Sequence, residues 1–546
     1  MRAHLAPIFA ACALALTLLA ACSPSDPARS SASGRDGEKI LRFGNGTEPQ
    51  DLDPHVVTGV PEHHIITALF EGLVTQAPDG GGVAPGVAER WETSEDGLTW
   101  TFHLRADARW SNGEAVTAQD FLRSFRRILT PSLAAEYAYK LHHVVGAEEF
   151  NKGELADFAA TGFSAPDERT LVLRLKHRVP YLLEALKHYS WFPVHLPTLE
   201  RHGHVDRKGG AWTRPGNLVG NGPFLLESWR PNQAIIVRRS PTYWDAASVR
   251  LDAISFQAID STQTEERMFR SGQLHVTNSI PPDQIDAYRR ERPEALRIDP
   301  YYGTYFYRVN TARPPLDDVR VRRALALAID RRALIDAVLR AGQEPALHFT
   351  PPYAGFTPGD TLRAPDLAEA RRLLAEAGYP EGRGLRRIEI LYNTMESHKR
   401  IAEVIQQMWK TGLGVDASLR NEEWKVYLDS TDNLRYDLAR AGWIGDYPDP
   451  HGFLDLWVTG GGNNDTGYAN PDYDRLLASA LAAPDETARM AIYRELDSII
   501  TRDVPVIPLY FYKRVYLLDP RVQNWAPTLL DHRAWKHIDL APSAAR

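Results

Sequence analysis

A chain of 546 residues is too long to bury its apolar side chains in one core, so it must fold as two or three domains. Nothing covalent ties those domains together. The only cysteines are Cys12 and Cys22, both ahead of the segment that carries folding patterns, so no disulfide and no cysteine-based zinc site is available to the fold. Packing alone must hold it. A hydrophobic content of 43% and a charged content of 24% are ordinary for a soluble globular protein. The net charge of −7 argues against nucleic acid as a partner.

The amino end reads as a targeting segment. Arg2 and His4 precede an apolar run over 5–19, interrupted only by Pro7 and Thr17. The run is too short for a membrane span and suits a secretory signal over 1–21. It ends in Leu19-Ala20-Ala21-Cys22, which resembles the lipobox of bacterial lipoproteins, so Cys22 is the expected lipidation site. Residues 22–38 are rich in Ser, Pro and Gly and predict a flexible tether.

Further on, strand and helix patterns mix, which makes the fold α/β. Trp100, Phe102 and Leu104 alternate after the turn signal Asp96-Gly97, predicting a strand. Thr117 and Asp120 have capping-box spacing ahead of a helix over 121–129, which Pro131 stops. The later half reads as βαβ. A strand over 387–392 is followed by Ile401, Val404, Ile405, Met408 and Trp409 at helical spacing, with Gly412 as the expected end and a strand through Val415, Ala417 and Leu419. One helix is predicted over 318–339, its arginines forming a solvated face, and another over 366–377 with Gly378 just past its end.

The stretch with the most chemistry is Arg440-Ala-Gly-Trp443-Ile-Gly-Asp446-Tyr-Pro-Asp-Pro450. A strand-like approach over 436–440 delivers an Arg, an aromatic wall and an Asp. That set suits a small zwitterion with an amine at one end and a carboxylate at the other. On spacing alone, a strand followed by an Asp/Pro turn, with both charges solvated, is the commoner arrangement, because Asp and Pro dominate turns.

The stretch resembles the ligand-binding signature of the oligopeptide-binding proteins of bacterial ABC peptide importers, the family 5 solute-binding proteins of peptide/nickel type. The likeness extends through Leu69-Phe-Glu-Gly-Leu-Val74, Trp100-Thr-Phe-His-Leu-Arg105, Trp110-Ser-Asn-Gly113, Gly220-Asn-Gly-Pro-Phe224, Pro241-Thr-Tyr-Trp244, Leu391-Tyr-Asn-Thr394 and Asn421-Glu-Glu-Trp-Lys425. It covers essentially everything after residue 38.

The resemblance implies a two-lobed periplasmic-binding-protein fold (type II, peptide-binding class) with a small inserted third domain. Lobe I takes 39–70, 200–302 and 514–546, the inserted domain 71–199, and lobe II 303–513. It also implies a ligand cleft between lobes, with Asp446 for a peptide α-amine and Arg440 or His398 for the carboxyl end. Gly442 and Trp443 would lie along the peptide backbone, with Trp424, Tyr301, Asn278, Val60 and Tyr137 around the side chains. His398 could equally be a solvated first-turn residue, and Trp424 a core residue. Two departures stand out. Gly303 and Ile444 occupy positions that often carry a cysteine pair in the family, and Thr431 replaces a basic residue near the carboxyl end of longer ligands.

The implied protein is a monomeric, lipid-anchored receptor in the periplasmic space, on the inner or outer membrane. It has no cofactor and no metal, and passes short peptides to ABC permease subunits. Murein peptides, nickel chelates, haem, glutathione and oligosaccharides are the alternative solutes. An envelope hydrolase is the alternative class, although no Gly-x-Ser-x-Gly, His-Glu-x-x-His or Gly-x-x-x-x-Gly-Lys motif occurs.

Overall fold

The computed structural model describes residues 37–353 and 355–542. The expected signal peptide, Cys22 and nearly all of the tether lie outside the described residues. Among the described residues no helix is long and apolar enough to cross a membrane.

Three larger sheets organise the chain. The first has the order Ile40–Gly44, Ala253–Gln257, Ala234–Arg239, Phe224–Arg230. Its outer strand Ile40–Gly44 runs parallel to Ala253–Gln257 and the rest pair antiparallel. Alternation drives one face inward: Leu41 and Phe43 on one strand, Ile235 and Val237 on another, are all buried.

The second sheet has the order Ala88–Thr93, Thr99–Leu104, Thr170–Arg174, Phe163–Asp167 and is antiparallel throughout. Here the expected strand is found. Phe102 and Leu104 are buried, and Trp100 stacks on Phe102 at 6.3 Å. Gly97 takes the positive φ that the preceding turn needs, and Asp96 accepts from Leu98 N at 2.9 Å. Helix Ala118–Leu129 covers this sheet and opens with the predicted capping box of Thr117 and Asp120.

The third sheet has six strands: Glu344–Pro345, Val506–Leu517, Leu296–Val309, Leu438–Ile444, Ile388–Asn393 and Ala417–Glu422. Its last three strands are parallel, with helix Glu396–Leu413 as the crossover between Ile388–Asn393 and Ala417–Glu422. Trp409 anchors that helix, donating from Nε1 to the Leu325 carbonyl at 2.9 Å. The helix stops at Gly414 rather than Gly412. Gly414 has φ +70° and makes the left-handed cap, whereas Gly412 is still helical and packed against Leu367.

Two strands are unusually long. Leu296–Val309 and Val506–Leu517 pair antiparallel at both ends, but their register lapses between Pro300 and Thr304. At Leu517 the pair meets a segment that bridges to the first sheet: Thr277 N donates to the Leu517 carbonyl at 3.0 Å, and Val276 bridges to Phe43.

The helix expected over 318–339 is not continuous. Val319–Leu327 ends, and Asp330 caps a new turn at Arg331–Leu334, its side chain accepting from Ala333 N; a π-helical turn Ile335–Leu339 follows. Nor are all its arginines solvated. Arg322 and Arg331 are buried. Arg322 donates to the carbonyls of Asp503, Val504 and Leu316, and Arg331 to those of Pro508, Ala326 and Ile329. The planar five-donor guanidinium satisfies helix-end and strand carbonyls that would otherwise be orphaned. The helix at Leu367–Glu376 matches its expectation, with Asp366 as cap and Gly378 at φ +95° beyond it.

Arg331→Ala should therefore lower the unfolding free energy by about 2–4 kcal/mol, because several buried carbonyls lose their donors. Arg332→Ala, on the exposed side of the same turn, should change it by less than about 0.5 kcal/mol. Urea unfolding of both variants measures the contrast.

Candidate functional site

One cleft encloses about 1320 Å³ including its mouth. Every residue the sequence singled out for ligand contact lines it: Asp446, Arg440, His398, Trp424, Gly442, Trp443, Tyr301, Asn278, Val60 and Tyr137. They come from separate elements. Arg440, Gly442 and Trp443 sit on strand Leu438–Ile444, and Asp446 just past its end. His398 is in the first turn of Glu396–Leu413, Val60 opens helix Val60–Leu69, and Trp424 opens helix Trp424–Asp432. Tyr301 lies at the lapse in the long strand pair.

The open readings of two residues are narrowed by this placement. His398 is buried, not solvated, and its Nδ1 stands 3.2 Å from the Tyr305 hydroxyl. Trp424 is a half-buried wall of the cleft stacked on Tyr427, not a core residue. Thr431 is buried, its hydroxyl bonded to the Leu428 carbonyl. Gly303 and Ile444 face each other directly in the strand ladder, and the Ile444 side chain fills the space a Gly303 Cβ would need.

The strand carrying the signature has an open edge. Residues 440–444 pair with Gly303–Tyr307 on one side. On the other side the partner strand Ile388–Asn393 meets only Leu438 and Ala439, and the Tyr427 hydroxyl donates to the Arg440 carbonyl, which leaves the edge open over 441–444. The backbone around Gly442 thus borders the cleft with an edge to which an extended chain could pair.

Charges in the cleft are mostly answered from within. Asp531 receives His64 Nε2 and Arg514 Nε, each at 3.1 Å, and also pairs with Arg533. Burial works to raise the Asp531 carboxyl, but the two guanidiniums and His64 hold it well below the usual range. His63 and His532 stack at 4.7 Å. Burial, with neighbouring cations, pushes His63 down to about 3 and His532 and His188 well below the ordinary value, so all three are neutral near pH 7.

Arg440 is a buried exception. Its guanidinium donates to Asn393 Oδ1 at 3.2 Å and the Tyr512 hydroxyl at 3.0 Å, and lies over the Tyr305 ring. These partners are neutral, and its Nε has none. A planar fork with spare donors and no paired anion suits a carboxylate.

Asp446 is different again. Its carboxylate is buried, and Lys140 Nζ stands 2.5 Å from Oδ2 while His188 Nε2 lies 3.4 Å from Oδ1. Burial raises this carboxyl and Lys140 opposes the rise. The sequence reading missed Lys140, as it did Arg514, Asp531 and Tyr512. Lys140 sits in the short turn Ala138–Leu141, where no periodicity marks it. Arg514 and Tyr512 sit in a strand whose apolar run reads only as core.

The geometry has the company it suggests. Residues 82–465 match the family of bacterial extracellular solute-binding proteins, family 5, and the chain belongs to that family. The Escherichia coli periplasmic oligopeptide-binding protein OppA is 39% identical over 500 residues, 89% of this chain and 90% of that protein. The structure of Haemophilus influenzae OppA in complex with the peptide RPPGFSPFR is 35% identical, with a TM-score of 0.88 over 93% of this chain and all of that one. The Escherichia coli murein tripeptide binding protein MppA is 34% identical, with a TM-score of 0.89 over 93% of this chain and 99% of that one. MppA in its unliganded open form reaches a TM-score of only 0.62, at 34% identity over 92% of this chain and 98% of that one. The fold is thus the two-lobed architecture of these binding proteins, in an arrangement unlike that open form. Membership of a solute-binding family makes the chain a binding protein rather than an enzyme.

A histidine kept neutral by burial ties stability to pH. His63 lies below its unfolded value of about 6.5, so its contribution is fully present above that pH and is lost as pH falls toward about 3. Between about pH 7.5 and 5, wild type should lose about 2 kcal/mol more than His63→Asn. Denaturant unfolding at the two pH values tests this; equal losses would place His63 in contact with water.

Proposed function

We propose that this protein is a lipid-anchored receptor of the periplasmic space that captures short peptides between its lobes and presents them to an ABC permease. Its relatives include proteins named as periplasmic oligopeptide-binding proteins in Escherichia coli, Salmonella typhimurium and Haemophilus influenzae. The observation that carries the reading is the open strand edge at 441–444 beside Arg440, whose guanidinium meets only neutral partners. An extended peptide would pair its main chain with that edge, set its carboxylate on Arg440 and turn its side chains toward Trp424, Tyr301 and Tyr137. Main-chain pairing gives affinity without demanding one sequence, as a receptor for many peptides requires. The lapse between Pro300 and Thr304 would serve as part of the hinge between lobe II (303–513) and lobe I.

A ligand closes such a receptor only by binding the closed form better than the open one. Small-angle scattering should show compaction when a mixed tripeptide pool is added, and binding without compaction would contradict the closing step. Arg440→Gln should weaken a tripeptide about tenfold or more, since a buried charge pair loses one partner. The same peptide with an amidated carboxyl end should be nearly indifferent to the substitution. Calorimetry with the matched pair decides it. For the anchor, Cys22→Ser should move the protein from the membrane to the soluble envelope fraction; retention equal to wild type would refute lipidation at that residue.

A further inference from the structure

The Asp446 end of the cleft is already electrically complete. Lys140 is buried with its ammonium 2.5 Å from the Asp446 carboxylate. That ammonium also lies 5.1 Å from the Tyr137 ring centre, 4.8 Å from Tyr139, 5.9 Å from Trp443 and 5.4 Å from Tyr447. Four aromatic faces and one carboxylate make a built cation site, and the chain itself supplies the cation. Asp446 borders the cleft, whereas Lys140 is not among its lining residues and reaches the carboxylate from the turn Ala138–Leu141.

The other titratable groups around the pair add little charge. His188, His143 and His451 are held neutral by burial. Asp449 is answered by Arg489 at 3.2 Å. Burial lifts Asp455 to about 7, so it carries only part of a charge near neutrality. A ligand ammonium brought to Asp446 would meet Lys140 at close range, and repulsion between the two cations would offset much of its attraction to the carboxylate.

We propose that this cleft selects peptides whose amino end carries no charge, with Lys140 filling within the chain the place that a ligand amine would take on Asp446. N-acylated or otherwise blocked short peptides with a free carboxylate are the class that fits: no charge is asked for at Asp446, and an anion is wanted at Arg440. The inference rests on the peptide reading above and sharpens its substrate class.

Calorimetry with trialanine and N-acetyl-trialanine on the full chain tests it. Wild type should bind the acetylated peptide at least as tightly as the free one. Lys140→Met should shift the affinity ratio toward the free amine by about tenfold or more, because Asp446 then stands buried without a partner. Lys140→Gln, which keeps length and polarity, should shift it the same way if the methionine variant does not fold. A wild-type preference for free trialanine beyond about twofold would overturn the inference and leave the peptide reading standing, as would an unchanged ratio in a folded Lys140 variant. Failure of both peptides to bind any of these proteins would remove the peptide reading and this inference with it.

Discussion

The antiparallel pairing of Leu296–Val309 with Val506–Leu517 is the constraint on which the rest depends. These strands form the middle of the six-stranded sheet and also reach the first sheet through Leu517 and Thr277. Neither strand could be so long without serving both places, since a strand of five or six residues suffices for one sheet. The lapse between Pro300 and Thr304 falls between the two places the pair serves. Tyr301 and Tyr512 border the cleft from this irregular stretch, so the feature that joins the sheets also builds the site.

Burial sets the chemistry of the cleft. Imidazoles at 63, 188, 398 and 532 all sit where a charge would be desolvated, and all are pushed toward neutrality. They act as polar, uncharged walls. The ions that survive burial do so because a counter-ion comes with them, as Asp531 does with Arg514 and Arg533. Arg440, answered by neutral oxygens and a ring face instead, stands apart from this rule.

How much of this could be read in the sequence depended on whether a residue's role was local. The capping box at Thr117, the strand through Phe102 and the cap at Asp366 depend on neighbours a few positions away, and they were legible. Arg440, Trp443 and Asp446 stood out by their own chemistry, but the other seven cleft residues were found through whole-chain resemblance: Val60 and Trp424 are 364 positions apart in a sequence that gives no sign they line one cleft. The break at Asp330 was missed because the apolar period continues across it while the cap residue ends the helix. Arg322 and Arg331 were misplaced because a charge on a helix face normally points to water, and only tertiary structure shows the orphan carbonyls that draw these two inward. Lys140 was invisible for the same reason, its partner lying 306 positions away.

The two ends of the cleft therefore stand on different footings for closure. The Lys140–Asp446 pair joins a turn of the segment expected as the inserted domain to the end of a strand in the segment expected as lobe II. It contributes to the present arrangement whatever the ligand is. Arg440 contributes only when an anion reaches it. A ligand can move an equilibrium between two forms only by the difference in its affinity for them. On the proposed reading that difference comes largely from the Arg440 end and the open strand edge, because Lys140 already answers Asp446. A permease that recognises the closed form would then read carboxylate and main-chain capture. It would not read capture of an amine.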